Sequence, residues 1–455
     1  MLIAITGAVQ PAARSSIARR RVATARRAVV IASIAGALAA AATPSIAVAQ
    51  RSRPTASAGR TLASAIVPLP DGRCLDTAAT IVPARLDDAH LVYVEQETVV
   101  ANRAGRILVA GAPVFVWRNS GDHYDLLGLD SLFGMVVEPT SKFVRPIPSP
   151  LPGRELKGMR AAALPDGWWL VTFAEVVSVQ TPKRPNVIAM WVGETDGTSW
   201  RGLEKLPAVS DTLDPLRFSA LAMREGRVRL AAAVHRDWRR PVVLYSRDHG
   251  RWTVRVEDLG LSEYAAVGLT ASLDVLAVVR PDTTLEEDHN SLFLYTKPPK
   301  DTEWMSHPRV WRGGTNSVHG PMFVHGAASP VLVWVTGPMF RATSAWALSF
   351  ATISDTARAP IPLPAQVSNM MTSSLGDASI IATFDRGGPT RELRVFEYHE
   401  PLRVRLVLSK ATEYRGLMGV ALTPDRVVFV ASKPAVPPRD PAVISMIETH
   451  AWRCR

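Results

Sequence analysis

The chain has 455 residues, is 47% hydrophobic, and carries 35 prolines and 29 glycines. That length fits two or three ordinary domains or one large repeat domain, and Pro and Gly punctuating short apolar runs argue for a turn-rich β protein rather than a helical one. The formal charge of +11 includes Arg14, Arg19, Arg20, Arg21, Arg26 and Arg27; without that leader it falls to +5, spread with no basic run, so no nucleic-acid partner is expected.

Those arginines precede an apolar run, Ala28 to Ala42, and the small-residue site Ala47-Val48-Ala49. This is the layout of a secretory signal peptide over 1–49, with an uncleaved anchor as the alternative. It implies export to the periplasm or beyond, with no stable membrane span after cleavage. Residues 50–60, QRSRPTASAGR, read as a disordered linker, and a single domain is expected over 61–455. The two cysteines, Cys74 and Cys454, stand near the two ends of that domain. In an exported protein such a pair most simply forms one disulfide.

From about Thr61 onward the pattern is all-β. In Pro241 to Gly260 an apolar strand, a tight polar turn and a second strand opened by Trp252 follow one another. Variants of the apolar strand begin at Pro113, Val187, Pro241, Ser291, Trp346, Leu393 and Val443. After a longer first interval they recur every 50 residues or so, about the length of a four-stranded propeller blade. Each copy has a second apolar run upstream: Ile107 to Val109, Trp168 to Phe173, Val228 to Val234, Val275 to Val279, Val331 to Val335, Ser379 to Phe384 and Val427 to Val430. Continuous apolar runs suit sheets packed on both faces. Seven pairs predict seven blades, six with irregular ends being the alternative. No outer strand fits after the last copy, so an N-terminal strand within Leu75 to Leu86 is expected to close the ring.

The turn Ser246-Arg247-Asp248-His249-Gly250-Arg251-Trp252 resembles the Asp-box, or BNR repeat, of sialidase-like β-propellers. Gly193 to Trp200 is similar, with Gly197, Ser199 and Trp200 in place but Thr195 at the Asp position. The resemblance implies that Asp248 bonds turn amides beside Ser246, that Gly250 and Gly197 supply positive φ, and that Trp252 and Trp200 anchor outer strands. It implies fold rather than chemistry. The Phe-Arg-Ile-Pro motif that carries a sialidase's first arginine has no match, Phe143-Val144-Arg145-Pro146 being different, so the chain reads as a non-sialidase member.

Propellers present ligands at the central mouth. Near the start of each innermost strand the repeats offer Arg160, Arg217, Tyr264, His319, Asn369 and Arg415. Three arginines would suit a carboxylate, sulfate or phosphate; solvated channel residues are the plainer reading. Asp166, Glu225, Glu263 and Asp425 lie at blade turns, where acids are structural. The histidines are scattered, no HExxH or CxxC occurs, and no metal or cofactor is expected. The expectation is a monomeric propeller binding a glycan, peptide or partner protein without catalysis. The alternative is a glycoside hydrolase or lyase of the sialidase-like superfamily.

Overall fold

Short runs rich in Val, Leu, Ile and Ala, too brief for helices and bounded by turn residues, become strands wherever both faces can be covered. The computed structural model describes residues 67–454 apart from 69–72, 77, 120–123, 129–131, 179–186, 209–213, 236–240, 249, 258, 260–263, 282–289, 302, 308–309, 312–316, 326–329, 338–343, 350–360, 364–366, 368, 376–377, 386–390, 400–402, 413, 415 and 435–442. The expected leader and linker lie outside the described residues.

The described chain begins with β1 (Val67–Pro68), β2 (Arg73–Leu75) and β3 (Thr80–Pro83). Next come β4 (His90–Ala101), β5 (Ile107–Asn119), β6 (Tyr124–Gly128), β7 (Leu132–Val137) and β8 (Arg145–Pro148). Here β4-β5-β7-β8 is an antiparallel sheet, and β6 pairs with the second half of β5. Five four-stranded antiparallel sheets follow in chain order. They are β9 (Leu156–Ala163), β10 (Trp169–Ser178), β11 (Val187–Thr195) and β12 (Trp200–Lys205); then β13 (Asp214–Arg224), β14 (Arg227–His235), β15 (Val242–Asp248) and β16 (Arg251–Glu257). The next are β17 (Tyr264–Leu269), β18 (Asp274–Pro281), β19 (Asn290–Lys297) and β20 (Met305–Ser306); then β21 (Ser317–His325), β22 (Pro330–Gly337), β23 (Ser344–Ser349) and β24 (Ile361–Leu363). The fifth is β25 (Asn369–Leu375), β26 (Ala378–Asp385), β27 (Arg391–His399) and β28 (Arg403–Thr412). Last, β29 (Gly416–Leu422), β30 (Arg426–Pro434) and β31 (Val443–Cys454) form a terminal sheet, with β2 and β3 antiparallel on the free edge of β31.

The architecture is thus an all-β propeller with six four-stranded blades beside a terminal sheet drawn from both ends of the described chain. First strands lie side by side: β9 touches β4 and β13, β17 touches β13 and β21, β25 touches β21 and β29, and β29 touches β4. Apolar layers fill the spaces between sheets. Leu170, Met190 and Val192 pack on Val228, Leu230 and Tyr245, and Phe384 and Leu393 pack on Val427 and Phe429. Val109 and Val116 share a layer with Val428 and Ile447. Second strands are sandwiched and buried along their length, as in β22, whereas the outer β12 is exposed after Trp200. Each fully buried Val or Leu contributes about 1.5–3 kcal/mol, so the continuous apolar runs are what hold sheet to sheet.

Two expectations need correction. The runs at Ile107 and Pro113 are one 13-residue strand, β5, rather than a strand pair. Pro113, lacking an N–H, falls between the half of β5 that pairs with β7 and the half that pairs with β6, where no ladder bond is lost. That insertion lengthened the first interval. The expected strand within Leu75 to Leu86 is divided into β2 and β3, both on β31. The register sets Cys74 across from Arg453 and Cys454 across from Arg73. The cysteines therefore lie on adjoining strands one step out of register, which sets the two positions on opposite faces of the sheet and does not support the expected disulfide; their side chains are outside the described residues.

Candidate functional site at the centre of the propeller

Five of the six proposed mouth residues fall on first strands, one per sheet: Arg160 on β9, Arg217 on β13, Tyr264 on β17, His319 on β21 and Asn369 on β25. Arg415, just ahead of β29, lies outside the described residues, as do the side chains of Arg217, His319 and Asn369. Arg160 turns its guanidinium back on its own strand and donates to the Met159 carbonyl at 2.7 Å. Tyr264 is 37% exposed at the start of β17. The placement of these residues follows the repeat, but neither of the two described side chains lines the central cavity.

That cavity, about 590 Å³, opens at the other ends of the first strands. It is lined by the ends of β4, β9, β13, β21 and β25 and the turns that follow them. Arg103, Arg224 and Arg247 supply three guanidinium groups, and Thr372, Ser373 and Ser374 of β25 also line it, the Ser373 hydroxyl accepting the Leu422 amide at 2.9 Å. Glu225 is the one carboxylate among the described lining residues. It sits with Gly226 in the two-residue turn joining β13 to β14, where both have positive φ, 51° and 78°. A left-handed glutamate costs about 1 kcal/mol relative to glycine. A carboxylate is kept there nonetheless, 3.4 Å from Arg224 Nε. Arg247 lies over the Trp252 ring, 5.2 Å from its centroid. These lining residues were missed as a set because attention to strand starts passes over the polar residues where the same strands end. The one sequence signal was Glu225, expected to be a structural acid at a blade turn.

The two turns expected to be Asp-boxes separate into two chemistries, neither with the expected aspartate bonding the turn amides. In the Gly193–Trp200 copy the residue after Thr195 does the capping. One Asp196 oxygen accepts the Thr198 and Ser199 amides at 2.8 Å each, together with both hydroxyls. Burial opposes the Asp196 charge, but these donors outweigh it and hold the carboxyl at about 2. Gly197 has φ +92°, and a Cβ there would come within 2.3 Å of Val136 Cγ2, so no other residue fits. Trp200 Nε1 donates to the Pro148 carbonyl at 2.9 Å while its ring meets Phe133 edge-on, fastening the outer strand to the preceding blade. In the Ser246–Trp252 copy Gly250 has φ +130° and Trp252 is buried. Asp248, however, gives its carboxylate to Arg229 at 2.8 and 3.1 Å. The shorter turn leaves its oxygens facing that cation.

Arg229 is buried and also donates to Asp274 at 2.7 Å; burial opposes its charge, and the two carboxylates overcome this and push its pKa up. A second enclosed network sits in the terminal sheet. Glu448 accepts from Lys410 Nζ at 2.7 Å, His450 Nε2 at 2.5 Å and the Tyr414 hydroxyl. Burial raises the Glu448 pKa, but the three donors prevail and hold it at about 2. Burial, together with the Glu448 charge, pushes the Tyr414 phenol up. His450 Nδ1 faces the Asp76 carbonyl at 2.9 Å, so both ring nitrogens meet acceptors. Among the described residues no cluster of three or more His, Cys, Asp or Glu could hold a metal, and no helix is long and apolar enough to cross a membrane.

No family model matches the sequence, and no curated protein matches it. Solved structures give distant likenesses. The polysaccharide lyase Uly1 aligns with TM-score 0.47 and 10% identity over 81% of this chain and 91% of its own. A PL25 ulvan lyase bound to -[GlcA(1-4)Rha3S]- gives 0.43 and 10% over 80% and 92%. The SapL1 lectin in complex with alpha methyl fucoside gives 0.39 and 10% over 63% and 94%. At this level of likeness none of them carries a functional argument, and the propeller assignment rests on this chain's own sheets.

Proposed function

We propose that the protein is an exported seven-bladed propeller that binds an acidic glycan at its central cavity without turning it over. The observation that carries the reading is the composition of that cavity: three arginines around about 590 Å³, against a single carboxylate among the described lining residues. Guanidinium forks match carboxylate and sulfate groups bidentately, and the Glu225 carboxylate suits sugar hydroxyls. Two-carboxylate glycoside hydrolysis needs a second acid across the scissile bond, and the described lining has one. Seven blades are supported by the neighbour relations of first strands around to β4, and by the apolar layer that the terminal sheet shares with β5. Export is supported by the arginine-rich start, the apolar run and Ala47-Val48-Ala49.

Titration calorimetry with an oligogalacturonate tests the site. Each of Arg103→Ala, Arg224→Ala and Arg247→Ala is expected to weaken binding by about tenfold or more, the worth of a charge-assisted hydrogen bond. No new reducing ends or unsaturated uronates should accumulate. Binding that is indifferent to all three substitutions removes the proposal, and product formation converts it into the lyase or hydrolase alternative.

A further inference from the structure

We propose that the cleft between the first two described blades is a second binding site, for an amphipathic anion: an alkyl or aryl body carrying one acidic group. The cleft has a volume of about 490 Å³, within the range of ligand pockets. It lies at the start of β9, where Leu156, Lys157 and Met159 line it, whereas Ala161, Ala162 and Ala163 at the end of the same strand line the central cavity. The two sites are therefore separate.

One wall is apolar and built by the insertion that sets the first blade apart. Phe115 on β5, Leu126 on β6 and Leu132 on β7 face the cleft. Leu126 is 49% exposed on a strand outside the four-strand order of its sheet. A large aliphatic side chain left half in water inside a concavity gains about 25 cal/mol for each Å² a ligand covers. The opposite wall is charged. Arg154, Glu155 and Lys157 line it, and because Glu175 already faces Arg154, Lys157 is the cation that answers a ligand's acidic group. Arg154 is held in place from below, its Nε 3.5 Å from Glu175, a buried carboxylate that also accepts the Trp191 indole N–H at 2.9 Å. An apolar body can cover Phe115 and Leu126 while its acidic end meets Lys157. A polyanion would place charge against the leucines, and a neutral lipid would leave Lys157 unmatched.

The test is a fluorescence titration of the purified protein with the anilinonaphthalene sulfonate dye, followed by displacement with decanoate. We expect one saturable class of sites, displaced by decanoate and not by decanol. Leu126→Asp and Lys157→Glu, both at the surface, should each weaken dye binding about tenfold, with unchanged thermal melting. Arg224→Ala should leave it unaltered, which separates this site from the central one. Dye binding indifferent to both cleft substitutions, or displacement by decanol equal to that by decanoate, overturns the proposal.

Discussion

Glu448 in the terminal sheet and Asp274 on β18 are both enclosed carboxylates gripped by cations, yet they sit in different situations. Glu448 and His450 are fully buried on β31, and their partners come from three other places: Lys410 on β28, Tyr414 just after it, and the Asp76 carbonyl between β2 and β3. The network ties a late strand to an early segment and to the neighbouring sheet. Asp274 sits in mid-chain, and Arg229 bridges it to Asp248, whose side chain is 44% exposed at a hairpin turn. Mid-chain strands are tethered to their neighbours by short turns, so there the charges trim a packing that connectivity already secures. Where strands from opposite ends of the chain meet, no turn joins them, and their edge is specified by ladder bonds and the Glu448 network. A buried ionic cluster fits that use, because an alternative pairing would leave its charges unmatched.

Removing one partner of each network should separate the two roles. Glu448→Gln leaves the partly exposed Lys410 without its countercharge and the buried His450 and Tyr414 without the carboxylate they meet, and an unfolding titration is expected to show a loss of about 3 kcal/mol. Hydrogen exchange should then open β31 and β3 ahead of the other strands. Acid should act in the same direction. The folded Glu448 pKa, about 2, lies below its ordinary 4.5. Its contribution is therefore present in full above the ordinary value and lost as pH falls through 4.5 toward 2. A stability profile through that window should flatten in Glu448→Gln; an unchanged slope would show that the network does not act at the seam. Asp274→Asn is expected to lose less, about 2–3 kcal/mol, since Arg229 keeps Asp248 and the nearby Arg227 keeps the Thr270 carbonyl. Asp248→Ala should cost at most about 1 kcal/mol and less in high salt, because its half-exposed pair is screened.

The same contrast explains what could be read from the chain. Second and third strands were legible because both faces are buried, so runs such as Val275 to Val279 and Val331 to Val335 are continuously apolar. β6 was not, since an inserted edge strand bearing the exposed Leu126 has no matching repeat. Asp196 escaped because its capping role depends on one residue of turn geometry that the Thr195 alignment conceals. The enclosure of Glu448 was invisible because its partners Lys410, Tyr414 and Asp76 are far apart in sequence and each alone reads as a surface residue. Arg224 and Arg247 stand on two strands of one sheet and Arg103 in the turn after β4 of another, far apart in sequence, and only the packing of the sheets brings them to one cavity.

The most direct measurement compares the affinity of the protein for one oligosaccharide in its free-acid and fully methyl-esterified forms, at low and at physiological salt. The account predicts that the free acid binds at least about tenfold more tightly, that salt erodes this preference, and that Arg224→Ala abolishes it. Equal affinity for the acid and the ester would contradict an arginine-lined acidic-glycan site at the centre of the propeller.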